Sequence, residues 1–161
     1  MREDRTNPPA ILFLCLGNIC RSPLAEGAAR AAFAAAGIDA TLDSAGTGDW
    51  HVGRPPDARA QAEARRRGVD IGGLCARQLM PGDFHRFDLI LAADEANLRD
   101  ARILAPNDAR ADLMLMLDLV PDRAGESVVD PYYGDAGGFA ATWDDVTAVA
   151  SALVARFGSS G

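Results

Sequence analysis

Cys15-Leu16-Gly17-Asn18-Ile19-Cys20-Arg21-Ser22 places a thiol and a guanidinium near the two ends of a short loop, with a glycine and an asparagine between them. Gly17 and Asn18 tolerate left-handed backbone, so the loop can turn its N–H groups inward around one centre. Ser22-Pro23 then reads as a helix start, with serine at the N-cap and proline at the first helical position. A tetrahedral oxyanion such as phosphate would meet the amides of Leu16, Gly17, Asn18, Ile19, Cys20 and Arg21, the positive end of the helix dipole and the fork of Arg21. The same field favours the thiolate of a cysteine at a helix N-terminus beside an arginine, which makes Cys15 the candidate nucleophile. Ser22 has two candidate roles, donating its hydroxyl to the Cys15 sulfur or capping the helix, and the two can coexist.

A C-x5-R spacing arises easily by chance in a chain with three cysteines and 16 arginines, so it counts only where a strand precedes it and a helix follows. Ala10 to Cys15 is a continuous apolar run, the pattern of a strand covered on both faces. The helix predicted from Ser22 runs to about Ala36 and stops at Gly37. Thr41 to Ala45 is a second strand, a glycine-containing loop covers 46–56, and Asp57 caps a helix reaching Arg67. Phe87 to Ala92 forms a third strand, Asp94 caps a helix to about Leu104, and Leu113 to Leu117 is a fourth strand. Phe139, Trp143, Val146, Ala150, Leu153 and Phe157 recur at steps of three and four, one face of an amphipathic helix. Strands alternating with helices predict a single-domain α/β fold: a doubly wound, flavodoxin-like, four-stranded parallel sheet in the order 2-1-3-4, with helices on both faces. Its domain is expected to span 10–157, between flexible tails at 1–9 and 158–161. In such sheets ligands bind at the carboxyl ends of the strands, where the Cys15 loop lies.

Composition narrows the chemistry further. The 161 residues contain no lysine, which removes Schiff-base chemistry, pyridoxal enzymes and the P-loop NTPase lysine. The net charge of −7 would repel a nucleic-acid backbone or an anionic membrane surface, so neither is an expected partner. No apolar run approaches the roughly 18 residues of a membrane span, and the polar N-terminus does not resemble a signal peptide, which together predict a cytoplasmic protein. Cys15, Cys20 and Cys75 form an odd, sparse set suited to free thiols, and they lack the paired spacing of a zinc site. Cys15 and Cys20 are also spaced as a reactive thiol with a resolving partner, so peroxide is expected to join them in a reversible disulfide. Cys75 is expected to be a buried core thiol, and Arg77 with Arg65, Arg66 and Arg67 to lie on solvated surfaces.

The loop residues Cys15 to Pro23 resemble the active-site signature of the low-molecular-weight protein tyrosine phosphatases. The similarity continues through Asp43-Ser44-Ala45-Gly46-Thr47, Asp49-Trp50, Pro55-Pro56-Asp57-Ala58-Arg59-Ala60, Ala76-Arg77-Gln78, Asp94-Glu95-Ala96-Asn97-Leu98 and Asp130-Pro131-Tyr132-Tyr133-Gly134. It departs at Leu74, where many relatives carry a histidine three positions before the Arg-Gln pair. The resemblance implies that Cys15 attacks phosphorus, that Arg21 and the loop amides hold the phosphoryl group, and that Asp130 is general acid and then base. Composition alone does not choose among the aspartates, although Pro131 stiffens the backbone beside Asp130.

Trp50, Tyr132 and Tyr133 would form aromatic walls suited to a flat aryl phosphate, with His51 at the rim; their alternative role is ordinary packing at the edge of the core. Ser44 and Asn18 would pin the loop. No metal or other cofactor is implied. The implied substrate is a phosphotyrosine-containing protein, a bacterial tyrosine kinase being one candidate, with inorganic phosphate as product and a monomer as the working form. Two other readings remain open at this level: an arsenate reductase on the same fold, which would need a relay of further cysteines, and a phosphotyrosine-binding or redox-sensing module without turnover.

Overall fold

The computed structural model describes residues 8–128, 130–132 and 136–158. Strand β1 (Ala10–Cys15) is followed by α1 (Arg21–Ala36), β2 (Thr41–Gly46), α2 (Ala58–Arg66), a single turn α3 (Asp83–Arg86), β3 (Leu89–Ala92), α4 (Glu95–Leu104), β4 (Asp112–Leu115) and α5 (Ala136–Gly158). All strand pairs are parallel and the order is β2-β1-β3-β4, as the alternating pattern predicts. The register puts Cys15 opposite Gly46 at the carboxyl end of the sheet.

Because strand side chains alternate between faces, β1 feeds both layers of the core. Ile11, Phe13 and Cys15 point to the layer built with α1, α2 and α5, where Leu24, Ala25, Ala29, Phe139, Val146 and Leu153 are buried. Leu12 and Leu14 point to the other, with Phe84, Phe87, Leu98 and Ala101 from the α3 and α4 side. The alanines of α1 keep its inner surface flat enough for α5 to lie against it, and Gly37 ends the helix in a left-handed conformation at φ 71°.

Beyond one-residue shifts at β2, α2 and the start of β4, the structure departs from the sequence expectation at the following places. The chain enters α1 at Arg21 rather than Ser22, with Cys20 at the N-cap and no side chain capping it. The fourth strand stops at Leu115 instead of Leu117, because the Asp118 carboxylate accepts from the Leu115 N–H at 3.0 Å and draws Met116–Leu119 into a 3-10 turn. Phe87 closes α3 rather than opening β3, and the α3 turn itself was not predicted. Pro9, assigned to the tail, is buried, and its carbonyl accepts from the Thr41 N–H at 2.8 Å.

Candidate active site

The carbonyls of the Cys15 loop are used outward. Cys15 and Leu16 carbonyls accept from the N–H groups of Thr47 and Gly48, both at 2.9 Å, and the Ile19 carbonyl accepts from Asp57 N–H at 2.9 Å. With those carbonyls turned away, loop amides face inward: Asn18 N–H and Ser22 N–H lie 3.3 and 3.4 Å from Cys15 Sγ. Asn18 takes the left-handed conformation, φ 58°, that reverses the loop. Gly46 permits the close approach, since a Cβ there would sit 2.8 Å from the Leu16 carbonyl oxygen.

A polar chain behind the loop fixes the direction of each hydrogen bond. The buried Glu26 carboxylate can only accept, so Ser44 donates its hydroxyl to it at 2.8 Å. Ser44 Oγ then accepts from Asn18 Nδ2 at 3.0 Å, and the second Nδ2 hydrogen goes to Ser22 Oγ at 2.7 Å. The Ser22 hydroxyl hydrogen then has two acceptors, Cys15 Sγ at 3.0 Å and the Ala45 carbonyl at 3.5 Å, and a thiolate sulfur, the nearer and the charged one, takes it. Ser22 therefore serves the sulfur, and the capping role does not materialise. Burial pushes the Glu26 carboxyl above its ordinary range, against the hydrogen bonds from Ser44 and Arg30. Arg30 pairs with Glu26 at 2.7 Å and Leu74 packs partly buried against the core.

Arg21 is almost fully buried. Its Nη1 donates to Asp94 Oδ2 at 2.8 Å and to the Val128 carbonyl at 2.9 Å, and Nη2 stands 3.5 Å from Asp130 Oδ2. Asp94 was anticipated as the cap of α4, which it is through the Asn97 N–H at 2.8 Å; its second oxygen anchors Arg21. Glu26 and Asp94 thus support the loop and Arg21 from a distance, and nothing local in the sequence marks either for that role, although Asp94 lies within Asp94-Glu95-Ala96-Asn97-Leu98.

Cys15, Leu16, Gly17, Ile19, Cys20 and Arg21 form the floor of a cleft of about 410 Å³, and Trp50, His51, Asp130 and Tyr132 line it from the sides. Trp50 is 68% exposed, so it stands at the mouth of the cleft and not over the core edge. His51 packs its ring on Gly17, where a Cβ would meet it at 2.9 Å, and lies 6.4 Å from the Tyr132 ring centre. Tyr133 falls outside the described residues. Arg77 is not on an open surface: it pairs with Asp43 at 3.1 Å and with the fully buried Asp83 at 3.0 Å, while its N–H donates to Asn18 Oδ1 at 3.0 Å. Cys75 is exposed rather than buried, because Ala76 hydrogen-bonds to Gly53 and Arg54 and turns its neighbour outward.

The family model for low molecular weight phosphotyrosine protein phosphatases matches residues 10–160. The chain belongs to this family. Among its curated relatives, the low molecular weight phosphotyrosine protein phosphatase of Schizosaccharomyces pombe is 44% identical over 132 residues, 80% of this chain and 84% of the relative. The solved structure of YfkJ from Bacillus subtilis superposes with a TM-score of 0.88 at 36% identity, covering 96% of this chain and 98% of its own. A Drosophila arginine phosphatase superposes with a TM-score of 0.87 at 28% identity over 94% of this chain and 99% of its own. The fold of this chain is thus shared by a protein described as an arginine phosphatase.

Proposed function

We propose that the chain hydrolyses aryl phosphate monoesters, phosphotyrosine in proteins above all, through a phosphocysteine intermediate. The observation that carries this reading is the convergence on Cys15 Sγ of two backbone N–H groups and the Ser22 hydroxyl, with Arg21 and Asp130 paired at 3.5 Å in the same cleft. In the first step the sulfur lone pair forms the S–P bond as the P–O bond breaks, and Asp130 gives its proton to the departing oxygen. In the second, water attacks phosphorus, the S–P bond breaks, Asp130 takes the proton from water, and the thiolate returns to the hydrogen bond from Ser22. Arg21 and the loop amides stabilise the charge on the transferring group in both steps. No step calls for a metal ion.

Trp50 and Tyr132 supply flat aromatic faces to the lining of the cleft, which suit a phenyl ring better than a short alkyl chain. Among the described residues no helix is long and apolar enough to cross a membrane. A cytoplasmic monomer acting on a phosphotyrosine protein, such as a bacterial tyrosine kinase, is the setting we propose. Arsenate reduction is less well supported, because of the three cysteines only Cys75 lies downstream of the loop, and no cysteine pair follows it to relay the oxidation.

The test is turnover of p-nitrophenyl phosphate, a phosphotyrosine peptide and phosphoarginine, each with and without chelator, by the wild type and Cys15→Ser. Phosphotyrosine turnover that resists chelator and vanishes in the serine variant is the expected result. Preference for phosphoarginine, or undiminished activity without the thiol, would overturn the reading.

A further inference from the structure

The segment carrying Asp130 belongs to no strand or helix, yet its carboxylate must stay within reach of an oxygen held over Cys15. Its attachments lead to one side chain on α2. Asp130 Oδ1 accepts from the Tyr132 N–H at 3.1 Å, and the Tyr132 carbonyl accepts from Arg59 Nη2 at 2.9 Å. The Arg59 guanidinium also lies 5.5 Å from the Tyr132 ring centre and 4.9 Å from that of the buried Phe139 in α5. Attraction to the two rings restrains where the guanidinium sits.

Asp57 holds the other edge of that guanidinium, accepting from Nε at 3.0 Å and from Nη2 at 3.1 Å. Asp57 is itself fixed twice, by capping α2 through the Arg59 N–H at 2.8 Å and by donating its own N–H to the Ile19 carbonyl. The hydrogen bond from Arg59 keeps the Asp57 carboxyl below its ordinary range. A continuous path therefore runs from the Ile19 carbonyl of the loop, through Asp57 and Arg59, to the backbone that carries Asp130.

We propose that Asp57 and Arg59 form a positioning pair that ties the Asp130 segment to the Cys15 loop and sets the alignment of the acid with the leaving oxygen. This rests on the reading of Asp130 as general acid. Neither residue touches the reacting atoms, so the pair acts through Asp130. A misaligned acid matters most where the leaving group is a poor one, and little where the leaving group departs without help.

The experiment compares kcat/KM for phenyl phosphate and p-nitrophenyl phosphate in the wild type, Arg59→Met, Asp57→Asn and Asp130→Asn. Removing a general acid outright costs about 100-fold or more, and partial misalignment about tenfold, with the poor leaving group. The expected result is a loss of about tenfold on phenyl phosphate in Arg59→Met with a clearly smaller loss on p-nitrophenyl phosphate, Asp57→Asn shifting the same ratio less. An unchanged rate of Cys15 alkylation by iodoacetate confirms that the loop is intact. Arg59→Lys, which keeps a charge over the rings and loses the fork, reads the same ratio should the methionine variant fold poorly. Equal losses on both substrates in the Arg59 and Asp57 variants, while Asp130→Asn steepens the ratio, would overturn the positioning pair alone. A flat ratio in Asp130→Asn would overturn the acid assignment and the pair with it.

Discussion

Arg21 donates from Nη1 to Asp94 at 2.8 Å, so a carboxylate at the start of α4 orients the guanidinium at the start of α1. Because the same Nη1 also donates to the Val128 carbonyl, the protein anchors the guanidinium at Nη1, and Nη2, which carries only the 3.5 Å pairing with Asp130 among the described residues, is the end for an oxyanion to engage. Asp94→Asn keeps an oxygen for the α4 cap but sets an amide donor against Arg21. The expected effect is a fall in kcat/KM of about 10- to 100-fold, the worth of one hydrogen bond to a charged group, with weaker inhibition by inorganic phosphate. An unchanged phosphate inhibition constant would refute the anchoring role.

Ser22→Ala removes the hydroxyl donor to Cys15 Sγ and leaves the two backbone N–H groups in place. The donor is most valuable when sulfur leaves phosphorus as thiolate. Steady-state kinetics should therefore show kcat falling by about tenfold or more, with KM little changed. A loss confined to KM would contradict this placement of the hydroxyl.

Asp83 is fully buried, and its carboxylate accepts from Arg77, Arg86 and the Met80 N–H. Burial opposes its charge, but these donors outweigh burial and hold the carboxyl below the ordinary aspartate value. Its folded-state value being depressed, the group contributes stability above the unfolded value, and that contribution is lost as pH falls through the folded one. Asp83→Asn should destabilise by about 3 kcal/mol at neutral pH, as expected for a broken buried pair, with the gap to wild type closing in acid. Denaturant melts across the acid range measure this directly, and a gap that stays constant with pH would rule it out.

The Cys15–Cys20 disulfide requires Cys20 to attack an oxidised Cys15. Burial first, with Asp57, Cys15 and Asp130 adding to it, pushes the Cys20 thiol strongly up. Closure after peroxide should therefore be slow at neutral pH and quicken by about tenfold per pH unit as the thiolate fraction grows. Time-resolved mass mapping would show this; a linkage that closes at the same rate across that range, or none at all, would contradict it.

The continuous run of Ala10 to Cys15 and the order of strand, glycine, arginine and Ser-Pro were sufficient to locate the floor of the site, because those features are local. Supports that depend on distant partners were not legible. Arg77, a charged residue in a stretch without periodicity, looks like a solvated surface residue, but Asp43 on β2 and Asp83 before β3 draw it inward. Ser22 has the right type and place for a cap, and only the approach of Asn18 Nδ2 and Cys15 shows that its hydroxyl is already committed. Leu115 to Leu117 is apolar throughout, so nothing in that stretch announces the turn that Asp118 imposes.

The floor of the cleft is covalently brief, with Cys15 as the last residue of β1 and Arg21 as the first of α1. Its walls come from elsewhere, Trp50 and His51 after β2, and Asp130 and Tyr132 before α5. Two of these wall residues are bound into the chemistry, since Asp130 pairs with Arg21 and His51 packs on Gly17, whereas Trp50 stands exposed at the mouth. The cleft is therefore a reaction chamber that includes its acid, with a separate doorway at Trp50, and new substrates can be acquired by redecorating the doorway without rebuilding the chamber.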